Sequence, residues 1–146
     1  MRQAFKKSRS MLLIGLPALL LACGDSTSPS GNSAAGNYTA IYFVTTGGGG
    51  QRNEIQAGST LILNLKADGT TSGHLHIAAS GGSQPFEADM AGTWTQNGMT
   101  VDISQIADTF VGDTLFTLAP DPNGGWDLVG DDVFSNTRVQ VTLKRG

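Results

Sequence analysis

The chain has 146 residues, nine Lys and Arg, twelve Asp and Glu, and a formal net charge of −3 at pH 7. After residue 9 the basic residues are few and scattered, which argues against nucleic acid, whose binding needs clustered Lys and Arg, and against direct attraction to anionic lipid headgroups. A single cysteine excludes a disulfide framework, so any core must hold itself together.

The N-terminus carries Arg2, Lys6, Lys7 and Arg9 and no acid. Met11 to Leu21 is apolar apart from Gly15 and Pro17, about half the ~20 residues that a bilayer-spanning helix requires. A basic start, a short apolar middle and a small residue before a cut make a secretory signal. The run ends Leu20-Leu21-Ala22-Cys23, which resembles the lipobox of bacterial lipoproteins. The resemblance implies that the Cys23 thiol receives a diacylglycerol, that residues 1–22 are removed, and that the new amino group is acylated by palmitate-like chains. Two or three acyl chains hold a membrane firmly, where one binds marginally. The alternatives for Cys23 are a buried free thiol or an ordinary cleaved signal. Gly24 follows, where Asp would retain an enterobacterial lipoprotein in the inner membrane, so the expected location is exported and lipid-anchored at the outer membrane.

Residues 23–35 continue as "CGDSTSPSGNSAA", the composition of a flexible linker. The chain without its signal keeps five Lys and Arg against twelve acids, a net charge of −7. Residues 36–146 suffice for one domain. They are rich in Thr, Gly, Val, Leu and Asp, a strand-and-turn composition. No window long enough for a helix shows a 3.6-residue period, although "VDISQIADTF" leaves space for one short turn at 104–108.

"NYTAIYFVTT" is apolar on both faces. "GGGGQRNEIQAG" predicts a loose loop with a short strand at 54–56. "TLILNLKADGT" places Leu61, Leu63 and Leu65 on one face, and "GHLHIAAS" places Leu75 and Ile77 opposite His74 and His76. Pairing Leu63 with Leu75 and Leu65 with Gly73 requires an odd-length loop centred on Gly69. In "FEADMAGTWTQNGMTVDIS", Asn97-Gly98 is a strong hairpin signal that sets Trp94 opposite Val101. "GDTLFTLAP", "GWDLVGDD" and "TRVQVTLKR" supply three more strands, the last with Val139, Val141 and Leu143 inward. The predicted strands are 38–45, 59–66, 71–79, 86–96, 99–104, 112–118, 125–130 and 137–145. Strands joined by short links are antiparallel. Eight in sequence order predict an all-β, single up-and-down (meander) barrel, with a two-sheet β-sandwich as the alternative.

The segments "GNYTAIYF", "LNLKADGTTSG", "GTWTQNGMTVDIS", "GDTLFTL" and "VQVTLKR" together resemble bacterial lipocalin-like lipoprotein domains, in which "DGT" and "G-x-W/Y" hairpins build a small barrel. The resemblance covers most of residues 36–146. Gly36-Asn37-Tyr38 stands where true lipocalins carry Gly-x-Trp.

Several constellations could carry chemistry. His74 and His76 share a strand face, and a hairpin centred between Gly81 and Gly82 sets them opposite Asp89 and Glu87. Two imidazoles and two carboxylates suit zinc or a similar ion, while a solvated face of cross-strand charge pairs needs no metal. Asp127, Asp131 and Asp132 with Asn123 offer oxygen ligands without an EF-hand spacing. Gly47 to Gly50 lacks the Lys-Ser/Thr of a phosphate loop, and no Gly-x-Ser-x-Gly is present. Tyr42, Phe86, Trp94, Phe116 and Trp126 could line a ligand cavity, with Gly73, Ala88 and Gly92 leaving it open. An eight-stranded barrel has space for a filled core or one small ligand.

The sequence therefore predicts a lipid-anchored envelope protein that binds a small apolar ligand or an envelope partner. It would be non-enzymatic and need no cofactor. The alternatives are an interaction module with a filled core and weak metal binding through His74 and His76.

Overall fold

Along 60–65 the chain alternates Thr, Leu, Ile, Leu, Asn, Leu, and every leucine is buried while its neighbours face outward. The same two-residue period recurs around a closed wall. The computed structural model describes residues 33–146; the signal segment, Cys23 and most of the linker lie outside them. Among the described residues ten strands form: β1 (Gly36–Gly47), β2 (Gly50–Asn53), β3 (Thr60–Leu65), β4 (Thr70–Ile77), β5 (Phe86–Asp89), β6 (Gly92–Asn97), β7 (Thr100–Gln105), β8 (Phe116–Pro120), β9 (Trp126–Phe134) and β10 (Thr137–Arg145). One short helix, α1 (Phe110–Asp113), lies between β7 and β8.

Neighbours run β1-β3-β4-β6-β7-β8-β9-β10, all antiparallel, and β10 returns to pair with β1 from Tyr38↔Arg145 to Thr46↔Arg138. That closure makes an eight-stranded meander barrel and sets aside the two-sheet sandwich. It leaves the ring without an open edge. β2 and β5 lie outside the ring, extending the wall at one rim.

The hairpins preserve the expected faces but not the expected registers. Leu61 opposes Leu75 and Leu63 opposes Gly73, across a loop closed by Lys66 N–H on Thr70 O at 2.9 Å. The Asp68 carboxylate fixes that loop one residue earlier than expected, accepting from Thr70 N–H at 2.9 Å and Thr70 Oγ1 at 2.6 Å. In the next hairpin Gly98-Met99 forms the two-residue loop, with Gly98 at φ +62°, and Trp94 meets Ile103 instead of Val101. Both slips are of two residues, and a two-residue slip returns each side chain to its own face.

Other expectations are corrected outright. The single strand predicted at 86–96 is interrupted at Met90 and Ala91, although β5 and β6 keep one register on β4. The break faces Gly73, whose φ is +138° and where a Cβ would stand 2.1 Å from Ile62 O. At Gly92 a Cβ would lie 2.0 Å from Ser104 O. These glycines let strands approach closely; they do not open space inside. The short strand expected at 54–56 is a turn, the strand being β2. The helical turn falls at 110–113 instead of 104–108. Asp131 and Asp132 lie within β9, which runs on to a Ser135-Asn136 turn with both residues at positive φ, 48° and 64°.

The two rims differ. One gathers residues 33–36, the β3–β4 and β6–β7 turns, the 121–125 loop and Arg145. It is closed: Ala34 is fully buried, its N–H donating to Gln96 Oε1 at 2.9 Å and its carbonyl accepting from Tyr38 Oη at 2.8 Å. Arg145 donates to Ser33 O at 3.1 Å and to Ala35 O. Packing thus reaches back two residues beyond the strand start at Gly36. Tyr38, Leu63, Leu65, Ile103, Phe116, Leu128 and Leu143 fill the middle.

The other rim is the mouth, formed by the β1–β2 hairpin, the 78–85 loop, the segment around α1 and the Ser135-Asn136 turn. Here β1 and β3 have parted, since they pair only from Gly36 to Thr39 on β1. A buried carboxylate fills the gap. Glu54 accepts from Thr45 Oγ1 at 2.7 Å and Ser59 Oγ at 2.8 Å, with Arg52 Nη1 at 3.5 Å. Arg52 also donates to Ala78 O at 3.1 Å and Ala79 O at 3.2 Å, tying β2 to the end of β4.

Candidate functional site

The mouth holds an apolar cavity of about 310 Å³. β1 contributes Phe43 and Thr45, β4 Leu75 and Ile77, and β5 Phe86. The segment leading into α1 contributes Asp108, Thr109 and Phe110, and the β9–β10 hairpin contributes Phe134, Ser135, Thr137 and Val139.

Phe43 reaches the interior because of a β-bulge. The register against β10 shifts between Ala40 and Tyr42. An extra residue in one strand exchanges its faces beyond that point. Tyr38 and Ala40 point inward before the bulge, Phe43 after it. Without the bulge Tyr42 would be the inward residue; with it, Tyr42 is 42% exposed and Phe43 1%. The α1 turn brings in Phe110 and is closed by Thr114, whose N–H and Oγ1 both donate to Phe110 O, at 3.0 and 2.7 Å. The Phe110 and Phe43 rings pack with centroids 5.3 Å apart and planes inclined at 40°, within the range of favourable tilted pairs.

Of the five aromatic residues expected to line a cavity, Phe86 alone does so. Phe116 belongs to the solid middle of the core. Trp94 is partly buried near the closed rim, its indole N–H donating to Lys66 O at 2.8 Å. Trp126 packs partly buried against the core at the same end, and Tyr42 lies outside. The sequence reading missed Phe43, Phe110 and Phe134. Ser135-Asn136 was the available signal for Phe134, because Asn tolerates positive φ and marks a tight turn. The bulge before Phe43 has no such marker.

A second arrangement lies on the outer face. β4 and β5 pair His74 with Asp89 and His76 with Glu87, as the sequence predicts. Glu87 spans both imidazoles, Oε2 at 2.6 Å from His74 Nε2 and Oε1 at 2.5 Å from His76 Nδ1. Asp89 Oδ1 lies 3.4 Å from His74 Nδ1. The hydrogen bond to Glu87 raises the His74 pKa, and the bonds from His76 and His74 lower that of Glu87. Both Glu87 oxygens are thus occupied by imidazole nitrogens. Among the described residues, no group of three or more His, Cys, Asp or Glu is arranged to hold a metal ion.

The aspartates of β9 have separate partners. Asp131 takes a bidentate pair of hydrogen bonds from Arg138, at 2.7 and 2.5 Å, and a third from Gln140 at 3.1 Å. Asp127 accepts from Arg145 N–H at 3.3 Å, and Asn123 bonds Asp121 in the neighbouring loop. Gly48 and Gly49 are the turn of the β1–β2 hairpin. A depression of about 350 Å³, lined by Thr95, Asn97, Thr100, Asp102 and Leu115, is polar apart from Leu115.

No family model, no curated protein and no solved structure matches this chain.

Proposed function

We propose that this protein is a lipid-anchored barrel of the bacterial envelope that binds one small apolar ligand, without catalysis, in the mouth cavity. The observation that carries the reading is the cavity itself. Its volume of about 310 Å³ lies at the low end of ligand pockets, ~300–1,000 Å³. It is about twice the ~150 Å³ apolar cavity that takes up benzene, so it suits a two-ring molecule or a short branched alkyl group. Phenylalanine and aliphatic walls supply the binding energy by excluding water.

The anchor rests on Leu20-Leu21-Ala22-Cys23 and the basic, apolar stretch before it. Nine residues separate Cys23 from Ser33, ten steps along the chain with a reach of at most ~35 Å. Ser33 lies at the closed rim beside Arg145. A domain tethered there would turn its mouth away from the lipid surface, toward ligands arriving through the envelope space.

Titration with a neutral fluorescent probe, N-phenyl-1-naphthylamine, tests the binding. Saturable uptake at one site, weakened by Phe43→Ala or Phe86→Ala, is the expected result; unsaturable or absent uptake would overturn it. Intact-mass analysis of the protein from membranes tests the anchor, with an unmodified Cys23 as the contrary result.

A further inference from the structure

We infer that the mouth cavity selects ligands whose polar end is a cation: an amine or quaternary ammonium group on an apolar body. The inference rests on the apolar-ligand reading and concerns what the cavity presents to a polar group. Its walls contain no Lys, Arg or His. The one charged residue among them is Asp108, exposed at the rim, with no hydrogen bond or ion pair among the described residues.

The hydroxyl groups of Thr45 and Thr109 extend the pattern. Thr45 Oγ1 gives its hydrogen to Glu54 at 2.7 Å, and Thr109 Oγ1 gives its own to Gln105 Oε1 at 3.0 Å. With those hydrogens spent, each oxygen offers lone pairs only. Four phenylalanine rings complete the wall: Phe43, Phe86, Phe110 and Phe134. Aromatic faces are the negative side of the ring quadrupole and attract cations, quaternary ammonium groups above all.

A carboxylate or phosphate entering between these rings would lose its water and meet no cation, only the hydroxyl hydrogens of Ser135 and Thr137 among the lining side chains. Leaving a charge so unpaired is costly. A cation loses water too, but gains ring faces, hydroxyl lone pairs and the Asp108 carboxylate. The acidity of the chain beyond its basic N-terminus adds a long-range bias in the same direction.

The test compares two probes of one shape, phenyltrimethylammonium and tert-butylbenzene, titrated into the purified protein and followed by NMR. The cation is expected to bind at least ~5-fold more tightly, from cation–π attraction and the carboxylate together. Asp108→Asn should lower the ratio of cation to tert-butylbenzene affinity ~2- to 3-fold, as expected for one partly solvated charge. Equal or tighter binding of tert-butylbenzene would overturn the cation preference and leave the apolar-ligand reading standing. An affinity ratio untouched by Asp108→Asn would also overturn it. Failure of both probes to bind would remove the apolar-ligand reading itself.

Discussion

The rings of Phe43 on β1 and Phe110 on α1 meet 5.3 Å apart, and this contact ties the short helix across the mouth to the strand beneath it by an aromatic pair. Both rings are buried. Phe110→Ala is expected to cost about 3 kcal/mol, the lower end for a buried phenylalanine, because the mouth can partly relax. Chemical denaturation should show the loss as a lower midpoint with little change in slope.

At the opposite rim, Tyr38→Phe removes the hydroxyl that donates to Ala34 O. Burial is the chief influence on this phenol and pushes its pKa up, against the pull of Arg145. The expected cost is about 1–2 kcal/mol, because the Ala34 carbonyl is left without that donor. Hydrogen exchange at residues 33–36 should accelerate more than exchange in β9.

Gly73→Ala should be far more damaging than Gly81→Ala. Both glycines have positive φ, +138° and +55°. A Cβ at Gly73 meets Ile62 O at 2.1 Å, whereas at Gly81 nothing lies within 4 Å. About 1 kcal/mol is expected for Gly81→Ala, the left-handed backbone penalty alone. For Gly73→Ala the strands must separate as well, at ~3 kcal/mol or more. Paired thermal melts decide it, equal midpoints being the contrary result.

The His74–Glu87 pair sets a pH window. His74 is held above the ordinary histidine value by its hydrogen bond to Glu87, and Glu87 below the ordinary glutamate value by His76 and His74. The histidine contribution is complete below the unfolded-state value of about 6.5 and disappears as pH rises through the raised folded value. The glutamate contribution is complete above its unfolded value and is lost as pH falls through the lowered folded one. The charged pair is therefore favoured between the two folded values. An NMR titration should find His74 above about 6.5, and Glu87→Gln should bring it back down.

Alternation made most of the barrel legible. Leucines at 61, 63 and 65, Val139, Val141 and Leu143 face inward as their spacing dictates. Turn positions were harder to read, because a hairpin centred on Asp68 or on Gly69 satisfies the same pattern, and the Asp68–Thr70 hydrogen bonds favour the first. The cavity was least legible. One inserted residue near Ile41 exchanges Tyr42 for Phe43, and nothing in "TAIYFV" announces it. Phe110 reaches the cavity on a four-residue helix too short to display a period. The imidazole–carboxylate cluster was readable because two strand periods and one turn centre determine it.

Arg145 grips Ser33, and the Gly146 N–H donates to Asn37 O at 2.9 Å, so both ends of the described chain share the closed rim. A short peptide could join them, and new termini could then be cut into the glycine pair at 81 and 82, where even an added Cβ would meet no neighbour. The wall would still close, because each strand finds its place by its flanking partners and not by its rank along the polypeptide. The barrel is in that sense circular twice over, once in its hydrogen bonding and once in its connectivity.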